Sequence, residues 1–288
     1  PLSFGFMQRG LASAALLGLS GGLLGAILVL RRLSLMGDAL SHSLLPGLAV
    51  AAILVGLSPM GLLLGGLLAA IFVALGGHII SRSSRVKEET AIAALYIIAF
   101  AIGIALIKYA GVKVSLDHFL FGNILGVGDS DLWTSYAITC VALIVLVVFQ
   151  RPLLLAIFEA SVARSQGVPV GGLLGMLILL IVLAMVSSLQ AVGVLLSLGL
   201  LILPAATIYL LSDSFDTILW GGGALGTFGA VLGLLFSFWA NIPSGPAIVL
   251  ILGAIFLLAY FFSPRYGILS RYFKRRHLHE ESLERWKK

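Results

Sequence analysis

Between residues 10 and 263 the chain is almost unbroken apolar sequence, cut into long runs by short breaks of Gly, Pro, Ser and charge. A helix needs about 20 apolar residues to cross a hydrocarbon core about 30 Å thick. Inside lipid, each backbone N–H and C=O must find its partner within the spanning structure, so only helices and closed barrels cross. Segments 10–30, 33–57, 60–81, 90–109, 131–150, 172–191, 193–212, 217–239 and 244–263 therefore predict nine spans. Eight or ten are the alternatives, and the division near Gln190–Gly193 is the softest. The expected fold class is all-α, a polytopic transmembrane helix bundle.

Composition agrees. Only 10% of the residues are charged and 60% are hydrophobic, with a mean hydropathy of +1.14. A soluble domain carries about 25% charged residues. The 34 glycines have no three-residue period and fit helices that approach closely in lipid. The single cysteine, Cys140, excludes a disulfide framework and a multi-cysteine metal cluster, and reads as a small buried apolar residue. The first apolar run is read as a retained span rather than a cleaved leader.

Charge placement orients the bundle. The breaks holding Arg31, Arg32, Arg82, Arg85, Lys87, Arg151 and Arg164, together with the C-terminal tail, fall on one side of a nine-span model. They carry 15 of the 18 basic residues, leaving Arg9, Lys108 and Lys113 for the other side. The positive-inside rule makes the first side cytoplasmic, with the N-terminus outside and the C-terminus inside. Residues 1–263 form the membrane domain and 264–288 a basic cytoplasmic tail, read either as a short helix or a loose end. The net charge of +6 then reflects a membrane-facing tail and calls for no nucleic acid. Two longer linkers stand out. The outer one, 111–130, reads as a short interfacial helix. The inner one, 150–172, reads as an amphipathic surface helix bracketed by Pro152 and Pro169.

An ionisable side chain at mid-bilayer costs about 2.5–3.5 kcal/mol on insertion scales, so each one within a span needs a reason. The sequence RRLSLMGDALSHSLLPGLAV (31–50) supplies the leading case. Asp38 and His42 lie about 10 and 16 Å inward of the Arg31–Arg32 edge, near the middle of the core. Their i, i+4 spacing puts both on one helix face. A carboxylate and an imidazole there can share a cation, the imidazole suiting Zn or Fe and the carboxylate Mn and harder ions. Gly37 and Gly47 allow a neighbouring helix close, and Pro46 removes an N–H one turn after His42. Two alternatives stay open on residues alone: the pair bonding only to each other, and a proton relay. The remaining candidates are weaker. Asp117 and His118 are adjacent and diverge on a helix. His78 reads as a boundary residue, and His277 and His279 as solvated tail. Ser187, Ser188 and Gln190 read equally as interhelical bonds or as pathway lining. Pro204 is expected to kink its span.

No Gly-Lys dipeptide occurs, so the chain has no P-loop to cradle nucleotide phosphates. H-E-x-x-H is absent too, and the breaks are too short to hide a soluble catalytic domain. Any ATP hydrolysis would belong to another subunit, and the chain is not read as an enzyme.

At this point the residues resemble a known family. RRLSLMGDALSHSLLPGLA (31–49) is similar to the signature of the ABC-3 permeases, the membrane subunits of manganese, zinc and iron ABC importers. DHFLFGNILG (117–126), VGVLLSLGLLILPAAT (192–207) and FSPRYG (262–267) resemble its later segments. The resemblance implies a fold like that of type II ABC importer permeases, the vitamin B12 and siderophore importers among them. It implies two permease copies, or two related chains, around a central path. It also implies a cytoplasmic ATPase subunit and an extracytoplasmic metal-binding protein, in a bacterial plasma membrane. Asp38 and His42 match the family's acid and histidine. Glu159, Ala160 and Gly167, in FEASVARSQGV, match its ATPase-coupling loop. No cofactor is expected to stay bound; the cargo would be Mn2+, with Fe2+ or Zn2+ as alternatives, because the Leu-Met-Gly-Asp variant with Pro46 stands nearer the manganese- and iron-type members. The competing reading is a proton-coupled secondary transporter or channel without an ATPase partner.

Overall fold

The computed structural model describes residues 4–31, 33–56, 58–110, 124–264 and 266–269. Nine α-helices and one 3-10 turn account for nearly all of them. They are α1 (Gly5–Leu30), α2 (Ser34–Val55), α3 (Pro59–Ser83), α4 (Glu88–Ala110), the turn Ile124–Gly126, α5 (Asp129–Phe158), α6 (Ala160–Ser165), α7 (Val170–Leu211), α8 (Phe215–Ala240) and α9 (Ser244–Phe262). Each of the nine expected segments falls on one of these helices. Seven described helical stretches are individually long and apolar enough to cross a membrane, and 42–55 and 195–211 are shorter apolar stretches. The chain is a multi-pass membrane helix bundle.

Local chemistry sets the helix ends. Ser58 caps α3, its hydroxyl accepting from the Gly61 N–H at 3.2 Å, with Pro59 at the first helical position where a missing N–H costs nothing. Asp131 reaches back from the first turn of α5 to accept from the Gly128 N–H at 3.1 Å. The 42-residue α7 is two helices meeting at Gly193, whose φ of 78° and ψ of 171° suit only glycine well. The soft division near Gln190–Gly193 is this break, and it comes well before Pro204, where the kink was expected. The inner linker also differs in detail. α5 runs through Pro152 to Phe158, so the surface helix is only α6. Proline lacks a donor, but a long helix packed on its neighbours absorbs one lost bond.

Packing follows the logic of lipid, in which apolar side chains gain little by leaving the solvent and close backbone contact decides association. α1 lies at the centre, against α7 and α8. Gly18 and Gly22 of α1 meet Gly226 and Gly222 of α8, and a β-carbon at either α1 glycine would overlap the facing carbonyl. The four form two interlocked small-xxx-small pairs. The core divides in two. One part joins the second half of α1 (Leu23 to Leu28) to the first half of α7 (Leu177 to Leu189). The other joins Met7, Leu17, Ile124, Leu234 and Ile248 at the opposite end. α3 and α4 instead show large apolar side chains outward; Phe72 is 73% exposed, as a lipid-facing residue is. Cys140 is half-buried rather than enclosed.

Polar contacts show which ends lie together. Arg9 at the start of α1 pairs with Asp129 at the start of α5 at 3.1 Å. At the other end Gln150 donates to Asp216, and the Tyr266 hydroxyl donates to Asp213 at 2.9 Å. Arg31, Arg82 and Arg164 line one common cavity. The grouping reproduces the alternation read from the basic residues.

Candidate functional site

Asp38 and His42 both lie in α2, one turn apart, as the spacing predicts. The backbone places them on the half of the helix nearest Arg31. α2 is held on three sides by close approaches at small residues. Gly37 faces Leu201 of α7, where a β-carbon would stand 3.0 Å from the leucine Cδ2. Gly47 abuts Gly65 of α3, and Gly103 of α4 sits against the Leu45–Pro46 peptide. Gly37 and Gly47 thus serve the close packing their positions predict. Pro46 supplies no N–H to the His42 carbonyl, and α4 comes nearest at that turn.

This approach of α4 builds the surroundings of His42. The imidazole is half-buried. It stacks on Tyr96 at a centroid distance of 6.1 Å and an interplanar angle of 24°. It meets Phe100 edge-on at 5.1 Å and 79°. Tyr96 and Phe100 are themselves one turn apart on α4, so two rings brace a third. The offset and edge-on arrangements are those aromatic quadrupoles favour. These two aromatics were not among the candidate residues; their signal in the sequence is the i, i+4 pair in LYIIAFAI (95–102). An imidazole fixed this way keeps its ring plane and presents its nitrogens in a constant direction. A held imidazole can serve as a transition-metal ligand.

Among the described residues no group of three or more His, Cys, Asp or Glu side chains converges on a point. Asp117 and His118, and the tail residues His277 and His279, lie outside the described residues. His78 is exposed near the end of α3, and Lys108 is exposed in the last turn of α4. At the polar end of the first half of α7, Ser187 makes a helix–helix bond: Ser187 and Ser135 of α5 share a hydrogen bond at 3.3 Å, and both are buried. Thr139 adds a donor to the Leu16 carbonyl of α1 at 3.3 Å.

The loop between α5 and α7 is a second built feature. Glu159 is exposed at the joint of α5 and α6, out of helical geometry at φ −136° and ψ 65°. Gly167 closes α6 in the left-handed region at φ 78°. Its N–H bonds the Arg164 carbonyl at 3.0 Å, and the Val168 N–H bonds the Ala163 carbonyl at 2.9 Å, a Schellman closure. Ala163 is fully buried against Ala156 and Val170. The result is a short rigid knuckle projecting from one end of the bundle, with Glu159, Arg164 and Gly167 on its surface.

The fold is a many-helix membrane bundle that carries an acid and a histidine one turn apart in α2 and a short surface helix at one end. Over residues 3–263 the chain matches the ABC 3 transport family, and it belongs to that family. It is 39% identical over 98% of its length to the "Manganese transport system membrane protein MntC" of Halalkalibacterium halodurans, covering 95% of that protein. It is 36% identical to the "Probable iron transport system membrane protein" of Haemophilus influenzae, over 91% of this chain and 96% of that one. Among solved structures it resembles PsaBC from Streptococcus pneumoniae in complex with Fab. There the TM-score is 0.82, the identity 33%, and coverage 94% of this chain and 96% of that one. The chain is the membrane-spanning permease subunit of an ABC transporter.

Proposed function

We propose that this permease carries a divalent transition metal into the cytoplasm, manganese ahead of iron and zinc, and that Asp38 and His42 line the metal's path. Relatives named for manganese and iron transport support the cargo class, and manganese is the name carried by the relative of higher identity. The observation that carries the path is the His42 ring, braced by Tyr96 and Phe100 one turn from Asp38 in a helix of otherwise apolar and small residues. A carboxylate and an imidazole offer two ligands per chain, too few to replace a dication's water shell. A second permease copy or a related chain facing the first would double the set.

In this reading an extracytoplasmic metal-binding protein delivers the ion at the end marked by Arg9 and Asp129. A cytoplasmic ATPase subunit engages the knuckle of Glu159, Ala160 and Gly167 at the other end. The N-terminus is then outside and the C-terminus inside the bacterial plasma membrane, an orientation the basic residues support. ATP-driven closure of the partner would rock the bundle, exposing the metal ligands to each side in turn. Gly193 supplies a ready flexing point between the halves of α7.

The test is uptake into proteoliposomes holding the permease with its ATPase, measured for Mn2+, Fe2+ and Zn2+ separately. ATP-dependent uptake with Mn2+ preferred is expected. Uptake driven by a proton gradient with this chain alone would establish the competing secondary-transport reading instead.

A further inference from the structure

A cavity of about 540 Å3 opens between α3 and the first turns of α7, at the end of the bundle that carries α6. Its rim is cationic. Arg31 reaches it from the end of α1, Arg82 from the last turn of α3 and Arg164 from the last turn of α6, with His78 one turn before Arg82. No acidic side chain is among its described lining residues. Below the rim the walls turn wholly apolar: Leu75 and Ile71 on one side, Ile178 and Leu179 on the other. Leu75 and Leu179 are 58% and 40% exposed, so the slot opens sideways toward lipid. The floor is widened by Gly175, at which a β-carbon would meet nothing within 4 Å.

We infer that this groove is a binding site for one anionic glycerophospholipid of the cytoplasmic leaflet. Its phosphate lies among the three guanidiniums, and an acyl chain lies along the slot between α3 and α7. The charge pattern and the polarity axis carry the assignment. Guanidinium forks match phosphate oxygens in shape and charge, and basic pockets between spans at the cytoplasmic surface select anionic headgroups. From Arg82 the slot descends past Leu75 to Ile71, about 10 and 16 Å at a helical rise, which is the depth of one leaflet's hydrocarbon. A soluble anion would use the rim and leave the slot without purpose. An acidic protein segment would not need walls that continue the outward apolar stripe of Leu64, Leu68 and Phe72 on α3. Because Arg164 belongs to α6, a bound lipid would brace the knuckle against α1 and α3. The choice of leaflet rests on the sidedness proposed above, whereas binding itself does not depend on the metal or on the ATPase reading.

The experiment is native mass spectrometry of the full-length transporter complex in detergent, titrated with phosphatidylglycerol, with phosphatidylcholine of the same chains, and with glycerol phosphate. Phosphatidylglycerol should be retained about tenfold better than phosphatidylcholine, and glycerol phosphate should not be retained. Arg82→Gln and Arg164→Gln should each lower phosphatidylglycerol retention several-fold and leave phosphatidylcholine unchanged. Gly175→Phe should abolish retention by filling the slot, with the melting temperature unaltered. Equal retention of the two lipids, or retention that survives Gly175→Phe, would overturn the assignment. So would glycerol phosphate binding as tightly as the lipid, which would make this a soluble-anion site. Loss of a subunit rather than of lipid in Gly175→Phe would make it a protein contact.

Discussion

His42 shows how much a single residue depends on neighbours distant in sequence. Its place one turn after Asp38 can be read from α2 alone, but the rings it packs on, Tyr96 and Phe100, come from α4. Phe100→Ala should leave the bundle intact and free the imidazole to turn. An aromatic pair contributes about 0.5–1.5 kcal/mol beyond area, so KM for manganese uptake should rise roughly two- to tenfold. An unchanged KM would mean the ring does not position the histidine. The same dependence limits what the sequence could reveal. An i, i+4 aromatic pair in an apolar helix is ordinary, and only the close approach at Gly103 and Pro46 turns it toward His42.

Among the elements, α1 and α8 are joined at glycines, where backbone meets backbone and nothing can yield. Gly22→Leu should destabilise the protein by about 3 kcal/mol, the upper end of overpacking costs. Gly253→Ala, where a β-carbon finds open space, should be neutral or slightly stabilising. Thermal unfolding of the two variants side by side checks this; equal melting temperatures would refute the close-packed seam. The knuckle is rigid for a different reason, the left-handed Gly167 and the buried Ala163. Glu159→Ala lies on its surface, so it should weaken permease-stimulated ATPase activity without altering metal preference. Full stimulation would remove the knuckle from coupling. The surface helix itself was legible from the apolar–polar pattern of the loop. Its bounds were not, because Pro152 reads as a stop and here sits within a packed helix.

For the whole molecule, the many-span helical fold and the grouping of basic residues at one end were written in the sequence as run lengths and the placement of Arg and Lys. Both are direct consequences of bilayer thickness and of the membrane's electrostatics. The described contacts agree, with Arg9 and Asp129 at one end and Arg31, Arg82 and Arg164 at the other. Which helices touch was not legible, since Gly- and Leu-rich spans are nearly interchangeable in composition and differ only in where each glycine faces. The candidate site was half legible: Asp38 and His42 stand on α2, while the rings beside the histidine depend on tertiary contact. What unites the scales is the proposed metal path, an acid and a histidine one turn apart in one helix of a two-ended bundle. ATP-driven manganese uptake by reconstituted complexes carrying His42→Ala, set against the unaltered protein, tests this most directly. Loss of uptake with assembly and ATPase binding preserved is the predicted result, and uptake at the unaltered rate would contradict the account.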